Sequence, residues 1–395
     1  MVAGYAAKEL AKRDLGSGEL TIISADDALP YERPPLSKSF LSGKDKEADI
    51  LINAREWYAQ QKIGVNLKTL VQDVDLKKRT LHASSGESFE FEYLLIATGA
   101  RARKLDCPGN DLHKVFYLRS LDDSRNIRDN AASAKRAAVI GGGFIGMEVA
   151  SVLAQKNIET TLIIREDRVW SRVFTPTMSK FFEHYYASRG VRLLKEENVV
   201  RLEGRERVNA VVLSTGNRVA CDMVIAGVGA TPITELFANT GLEIENGIVV
   251  NEYLETNQAG VFAAGDVASY FDKIYNKRRR VEHWDNAVSQ GQHWASVVRG
   301  DRQAFVHVPY FFSDVFDLSY ELWGDPHSAT ETVVRGDANS PTFGVWWLNG
   351  DRLVAAFTMN RPDEERELAP EWIKSKQHIS RERLADQNRP VKEAK

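Results

Sequence analysis

Three glycines, Gly141, Gly143 and Gly146, stand at G-x-G-x-x-G spacing inside the stretch AAVIGGGFIGMEVA, residues 137–150. Each has a physical task at that spacing. The first permits a tight strand-to-helix turn, the second lets a pyrophosphate approach the backbone, and the third lets helix and strand pack closely. The residues before them, 137–140, read as a buried parallel strand. Phe144 and Ile145 open the turn, and 147–150 continue as a helix whose first N–H groups and positive dipole end face the phosphates. A second strand over 160–164 leads to Glu166, twenty residues past Gly146. A carboxylate there accepts from a ribose 2′-hydroxyl and repels a 2′-phosphate, so NADH is expected over NADPH. Arg165 beside it blurs that preference. A Gly-rich turn in an ordinary βαβ unit is the plainer alternative; strand, helix and acid in register favour a dinucleotide site.

The other elements must position this motif, and several repeat its logic. Residues 2–13 read as a helix with small residues on one face, followed by a strand over 20–24 and an acid, Asp26, at the ribose position. This is the second half of another dinucleotide fold. Ala3 or Gly4 would be the last small residue of its glycine motif, so a strand of about five residues and a glycine turn are expected before Val2. In YERPPLSKSFLSG, 31–43, Pro34 and Pro35 fix an extended backbone carrying the cations Arg33 and Lys38. YLLIATGARAR, 93–103, is a buried strand ending at Ala97, Thr98 and Gly99, and MVIAGVGATP, 223–232, echoes it around Gly229. That echo points to two related nucleotide folds, one inserted in the other. The chain then returns with VFAAGDVA, placing Gly265 and Asp266 at the carboxyl end of a strand, where ligands of open α/β sheets bind. A carboxylate there can hold a ribityl or ribose hydroxyl, or simply cap the next helix. The basic run 277–280 reads as a solvated loop in preference to a docking patch, before a helix carrying Glu282, His283 and Trp284. Aromatic strands over 308–324 and 342–359 form a small further domain; the chain after Arg361 is helical and charged, and its last eight residues are expected to fray.

The 395 residues suffice for two or three domains, and a formal net charge of −3 argues against a nucleic-acid binder. No apolar run reaches the ~18 residues of a membrane span, so no membrane role is expected, and no signal peptide is visible, so a cytoplasmic location is the default. Cys107 and Cys221 form no C-x-x-C pair, which excludes a thiol redox couple of that kind, and no metal-ligand spacing stands out. The expected fold class is α/β: two Rossmann-like dinucleotide-binding domains plus a small α+β C-terminal domain, with the first strand of the first domain missing. The expected division is 1–105 with 242–305, then 106–241, then 306–395.

The blocks AGYAAKELAK, PYERPPLSK, ATGAR, IGGGFIGME, FAAGDVA, RRVEH and PYFFSDVFDLS resemble, in that order and over essentially the whole chain, the monodehydroascorbate reductase family of pyridine-nucleotide flavin reductases. WDNA is similar to the oxygenase-type ferredoxin reductases, and RRVEH to apoptosis-inducing factor. The resemblance implies a two-dinucleotide-binding flavoprotein with FAD on the first domain, 1–105 with 242–305. Asp26 would meet the adenosine ribose, Arg33, Lys38 and Arg119 would lie along the cofactor, and Asp266 would hold the ribityl chain. The Glu282–Trp284 backbone would meet the pyrimidine edge of the isoalloxazine. NADH would lie over 141–148 with Glu166 on its ribose, Arg172 nearby and Gly229 closing the pocket. It also implies an ion pair, Lys38 with Glu148, near the flavin, and a substrate tyrosine at Tyr310. The activity implied is hydride transfer from NADH to FAD, then single electrons to an acceptor. That acceptor is the monodehydroascorbate radical or, as the alternative, a small iron–sulfur protein of the ferredoxin or rubredoxin kind. An NADH-binding redox sensor with slow turnover is a further reading. One position departs from the family pattern: its substrate-binding arginine falls at Val288, which removes a charge-assisted contact worth about 1.5–3 kcal/mol.

Overall fold

The structure, a computed structural model, describes residues 1–12 and 20–395; Arg13, the last residue of the expected first helix, lies outside them. The chain forms two compact units. One comprises Met1–Arg33, Lys46–Arg101 and Thr231–Pro309; the other comprises Pro34–Asp45, Ala102–Ala230 and Tyr310–Lys395.

In the first unit the helix Val2–Ala11 buries Val2, Ala6, Ala7 and Leu10, the small and apolar face visible in its sequence. Leu94–Ile96 pairs in parallel with Val261–Ala263, and Ile96 stands opposite Ala263. The Ala97–Gly99 turn and the Gly265–Asp266 turn therefore leave the same, carboxyl, end of two neighbouring strands. Thr21–Ile23 pairs in parallel with Gly64–Asn66, and Val71–Asp75, Thr80–Ala83 and Ser88–Glu90 form a three-stranded meander. The basic run corrects the expectation of a solvated loop. Lys277–Arg279 is a strand, paired antiparallel with Ala268–Asp272. Its guanidinium groups are largely spent inside the unit: Arg278 donates to Val250 O at 3.1 Å and Ser269 O at 2.6 Å, and Arg279 pairs with buried Asp272 at 3.3 Å. Arg280 donates to Asn246 at 3.2 Å and Asp266 O at 3.0 Å, and also bonds Glu282.

In the second unit five parallel strands run in the order Arg192–Leu194, Glu159–Ile163, Arg136–Ile140, Met223–Ala226, Val115–Phe116. The chain winds outward from Arg136–Ile140 on one side and returns on the other, so the switch point falls beside that strand, where the glycine motif begins. The interior strands read as near-continuous apolar runs because both faces are covered. The aromatic stretches form an antiparallel sheet, Tyr310–Val315, Leu318–Gly324, Arg352–Met359, Thr342–Asn349, Glu331–Asp337 in spatial order. Helix Asp363–Ser375 packs on it, with Trp372 6.1 Å from Trp346. The last residues are docked, not frayed: Val391 and Ala394 are buried, and Ser380 N–H donates to Ala394 O at 2.6 Å. Apolar side chains at a chain end are enough to hold it when a groove receives them.

Candidate functional site

The glycine motif performs its three tasks at separate positions. Gly141 has φ +112°, and a Cβ there would lie 2.3 Å from Gly227 O. A Cβ on Gly146 would lie 1.9 Å from Gly141 O, so helix Phe144–Gln155 packs against the turn only with glycine there. Gly143, its N-cap, faces open space on the Cβ side, as does Gly229 with φ +108°. Open backbone at a helix N-terminus is the cradle that a pyrophosphate needs. Ile145 is exposed beside it, while Phe144 turns to Trp170 and Phe311. Glu166 stands just past strand Glu159–Ile163 with its side chain one-third exposed, 3.4 Å from the guanidinium of Arg165. Arg172 is exposed on the turn that follows. These residues fit a dinucleotide.

In the same unit Glu148, on the fifth position of the motif helix, is buried and receives three donors. Lys38 Nζ lies 3.0 Å from Oε1, Ser313 Oγ donates to Oε1 at 2.6 Å, and Ser37 Oγ donates to Oε2. Lys38 also donates to Pro34 O at 3.3 Å and stands 5.5 Å over the Phe312 ring. The PPLSK loop is thus fastened to this unit through its charge. Burying such a pair is tolerable only with the remaining lone pairs filled, which the two serines do. Arg119 gives its N–H to Asp123 Oδ2 at 3.0 Å, beside the capping box that starts helix Leu121–Ala131.

Tyr310 lies on the edge strand with its hydroxyl donated to Glu321 Oε1 at 2.7 Å. Glu321 also takes Arg366 Nη2 at 2.8 Å, and Arg366 reaches Asp363 at 2.9 Å. Its ring stacks on Phe312 at 6.0 Å and on Trp323 at 5.3 Å, since residues two apart, and those opposite them, share a face of the sheet. Glu321 and Arg366 have no local sequence signal, because they come from the next strand and a helix 45 residues further on.

In the first unit the other candidates gather near the start of helix Val2–Ala11. A Cβ on Gly4 would lie 2.8 Å from Pro30, and one on Gly265, where φ is +76°, would lie 2.5 Å from Val2. Ala3 lies next to Gly4 on that helix, half-buried. The Met1 amino group is pushed down to about 5, by burial first and then by Arg33, against the opposing pull of Glu32, Asp266 and Asp26. One cation and three carboxylates thus converge there, types that hold phosphates and hydroxyls. Asp26 is oriented by Tyr31 O–H at 2.9 Å and Ala28 N–H at 3.3 Å. Asp266 lies inside the short turn Gly265–Val267, not at the cap of a long helix. Thr98 Oγ1 donates to Ile233 O at 2.8 Å and Ile233 N–H returns to Gly99 O at 3.0 Å, so the 97–99 turn is tied to the chain at Ile233 and the Thr98 hydroxyl is engaged. His283 N-caps helix Trp284–Val297, with Glu282 exposed before it. Val288 is buried in that helix. These residues fit an FAD.

Both cysteines are free thiols; burial raises that of Cys107 and pushes that of Cys221 up to about 12, which keeps them protonated and unreactive. Among the described residues no helix is long and apolar enough to cross a membrane, and no group of three His, Cys, Asp or Glu could hold a metal ion.

Two nucleotide folds joined to a small antiparallel module define a two-dinucleotide-binding flavoprotein oxidoreductase. The chain belongs to the pyridine nucleotide-disulphide oxidoreductase family, whose description matches residues 2–291, with the reductase C-terminal domain over 310–395; it is an FAD-dependent, NAD(P)H-linked enzyme. It is 35% identical to monodehydroascorbate reductase of Solanum lycopersicum over 98% of this chain and 94% of that protein. It is 32% identical to putidaredoxin reductase CamA of Pseudomonas putida over 95% and 90%. The solved putidaredoxin reductase–putidaredoxin complex matches at TM-score 0.95 and 31% identity, covering 100% of this chain and 95% of that one. The ferredoxin reductase for the CYP199A2 system of Rhodopseudomonas palustris matches at TM-score 0.95 and 30% identity, covering 100% and 97%.

Proposed function

We propose that the protein takes electrons from NADH on FAD and passes them singly to a small iron–sulfur protein. In this reading residues 1–105 and 242–305 carry FAD, through Asp26, Arg33, the 97–99 turn, Gly265, Asp266 and the 282–284 backbone. Residues 106–241 carry NADH, through the glycine motif, Glu166, Arg172 and Gly229. Residues 306–395 face the acceptor. FAD supplies a two-electron store that can release electrons one at a time. The Lys38–Glu148 pair holds a fixed positive charge in a buried site of the unit that carries NADH, where a charge acts more strongly than in water.

The observation that carries the choice of acceptor is the engagement of Tyr310. Its hydroxyl is given to a carboxylate, Glu321, and position 288 is buried valine. An anionic radical approaching Tyr310 would meet the Glu321 carboxylate beside it. That weighs against the ascorbate radical expected from the sequence. The ascorbate reading keeps one support, the 35% identity with monodehydroascorbate reductases along nearly the full chain. Stopped-flow reoxidation of the NADH-reduced enzyme separates the two. A putidaredoxin-type [2Fe–2S] protein is expected to show kcat/KM at least about tenfold above the ascorbate radical, the equivalent of one charge-assisted contact. The opposite order overturns this acceptor and restores the radical.

A further inference from the structure

Glu32 is a carboxylate near the start of the first helix whose two oxygens are bonded to two different helices. Tyr5 O–H donates to Oε1 and Trp284 Nε1–H donates to Oε2. Tyr5 lies in the first turns of helix Val2–Ala11, and Trp284 is the first residue of helix Trp284–Val297. The two rings meet edge to face, 6.5 Å apart at 86°. Burial first, then the bond to Glu32, raises the Tyr5 phenol well above its ordinary range, so it stays a donor. The Glu32 main chain is fixed as well, its N–H donating to Ile50 O at 2.8 Å. The two helices are already in close approach, since a Cβ on Gly291 would lie 2.7 Å from Val2 O.

We infer that Glu32 is a positioning residue for the flavin: its carboxylate ties together the first turns of the two helices that flank the cofactor. This rests on the FAD placement proposed above. One end of that placement, near Ala3 and Gly4, lies on the first helix; the other, the 282–284 backbone, leads directly into the second. A single side chain that bonds both fixes the spacing of the two binding segments before FAD arrives, and preorganisation of that kind converts into affinity. The chemistry predicts which replacement preserves it. A glutamine can accept from Trp284 through its oxygen and donate to the Tyr5 oxygen through its amide, since a phenol can do either. A leucine can do neither.

The test is FAD affinity, read by quenching of flavin fluorescence as apoprotein is titrated with FAD, together with tryptophan emission of the apoprotein. Glu32→Leu is expected to weaken FAD binding by about tenfold or more, and Glu32→Gln by less than about threefold. Trp284→Phe, which removes the bond from the other side, is expected to match Glu32→Leu and to add little when combined with it. Trp284→Phe alone tests the tie should Glu32→Leu not fold. Unchanged affinity in Glu32→Leu, equal losses in Gln and Leu, or additive losses in the double variant each overturn the inference. Asp266→Ala reports on the FAD placement itself: if it binds FAD as tightly as the parent, that placement fails, whatever Glu32 does.

Discussion

Two buried carboxylates in the second unit hold cations in contrasting ways. Glu365 takes Arg335 Nε at 2.8 Å and Arg361 at 2.7 and 3.0 Å. Arg335 then spends its other nitrogens on Leu384 O at 3.0 Å, Asp386 O at 2.6 Å and Arg389 O. Its planar fork binds strand, helix and tail into one piece, and it is 3% exposed. Glu148 instead takes a compact ammonium and two hydroxyls, and its Lys38 keeps 14% of its side chain accessible. Burial and pairing alone do not mark a functional charge. How far the donors reach differs: Arg335 fixes three carbonyls beyond residue 383 besides its carboxylate, whereas Lys38 adds one nearby carbonyl, Pro34 O, and stands over the Phe312 ring.

Three predictions press on that difference. The largest effect is expected from Arg335→Met, which strands three carbonyls and leaves buried Glu365 paired with Arg361. It should lower unfolding free energy by about 3–5 kcal/mol in a urea melt, with hydride transfer per folded molecule unchanged. A loss under about 1 kcal/mol would show that the tail is not closed by this residue.

Lys38→Met should do the reverse. Reoxidation or reduction of the flavin should slow by about 10- to 100-fold, the loss of one charge-assisted contact, while the melt shifts less than for Arg335→Met. The two serines still bond Glu148 when its cation is gone. Equal falls in stability and no change in rate would make the two pairs alike and erase the distinction.

The smallest change concerns an exposed charge. Glu166→Ala should reduce the preference for NADH over NADPH by about tenfold, measured as the ratio of the two kcat/KM values, with stability untouched. Arg165, 3.4 Å away, is then released to meet a 2′-phosphate. A ratio that does not move would remove Glu166 from the ribose.

Much of this could be anticipated from local pattern. The turn at Gly141, the open Gly143, the close packing at Gly146 and the strand before them are short-range consequences of residue type, and so is the aromatic sheet with its two-residue alternation. The Lys38–Glu148 pair was expected too, by resemblance and not by spacing, since 110 residues separate the partners. What the chain alone determined is therefore which segments turn, pair and pack. What only the tertiary structure decided is where the polar groups spend their bonds. The tyrosine expected to greet a substrate donates its hydroxyl to Glu321, the basic run spends its guanidinium groups on its own unit, the tail docks through Val391 and Ala394, and Glu32 joins two helices. A hydrogen bond has a reach of about 3 Å and is indifferent to sequence separation. Its partner is chosen only once every element has taken its place.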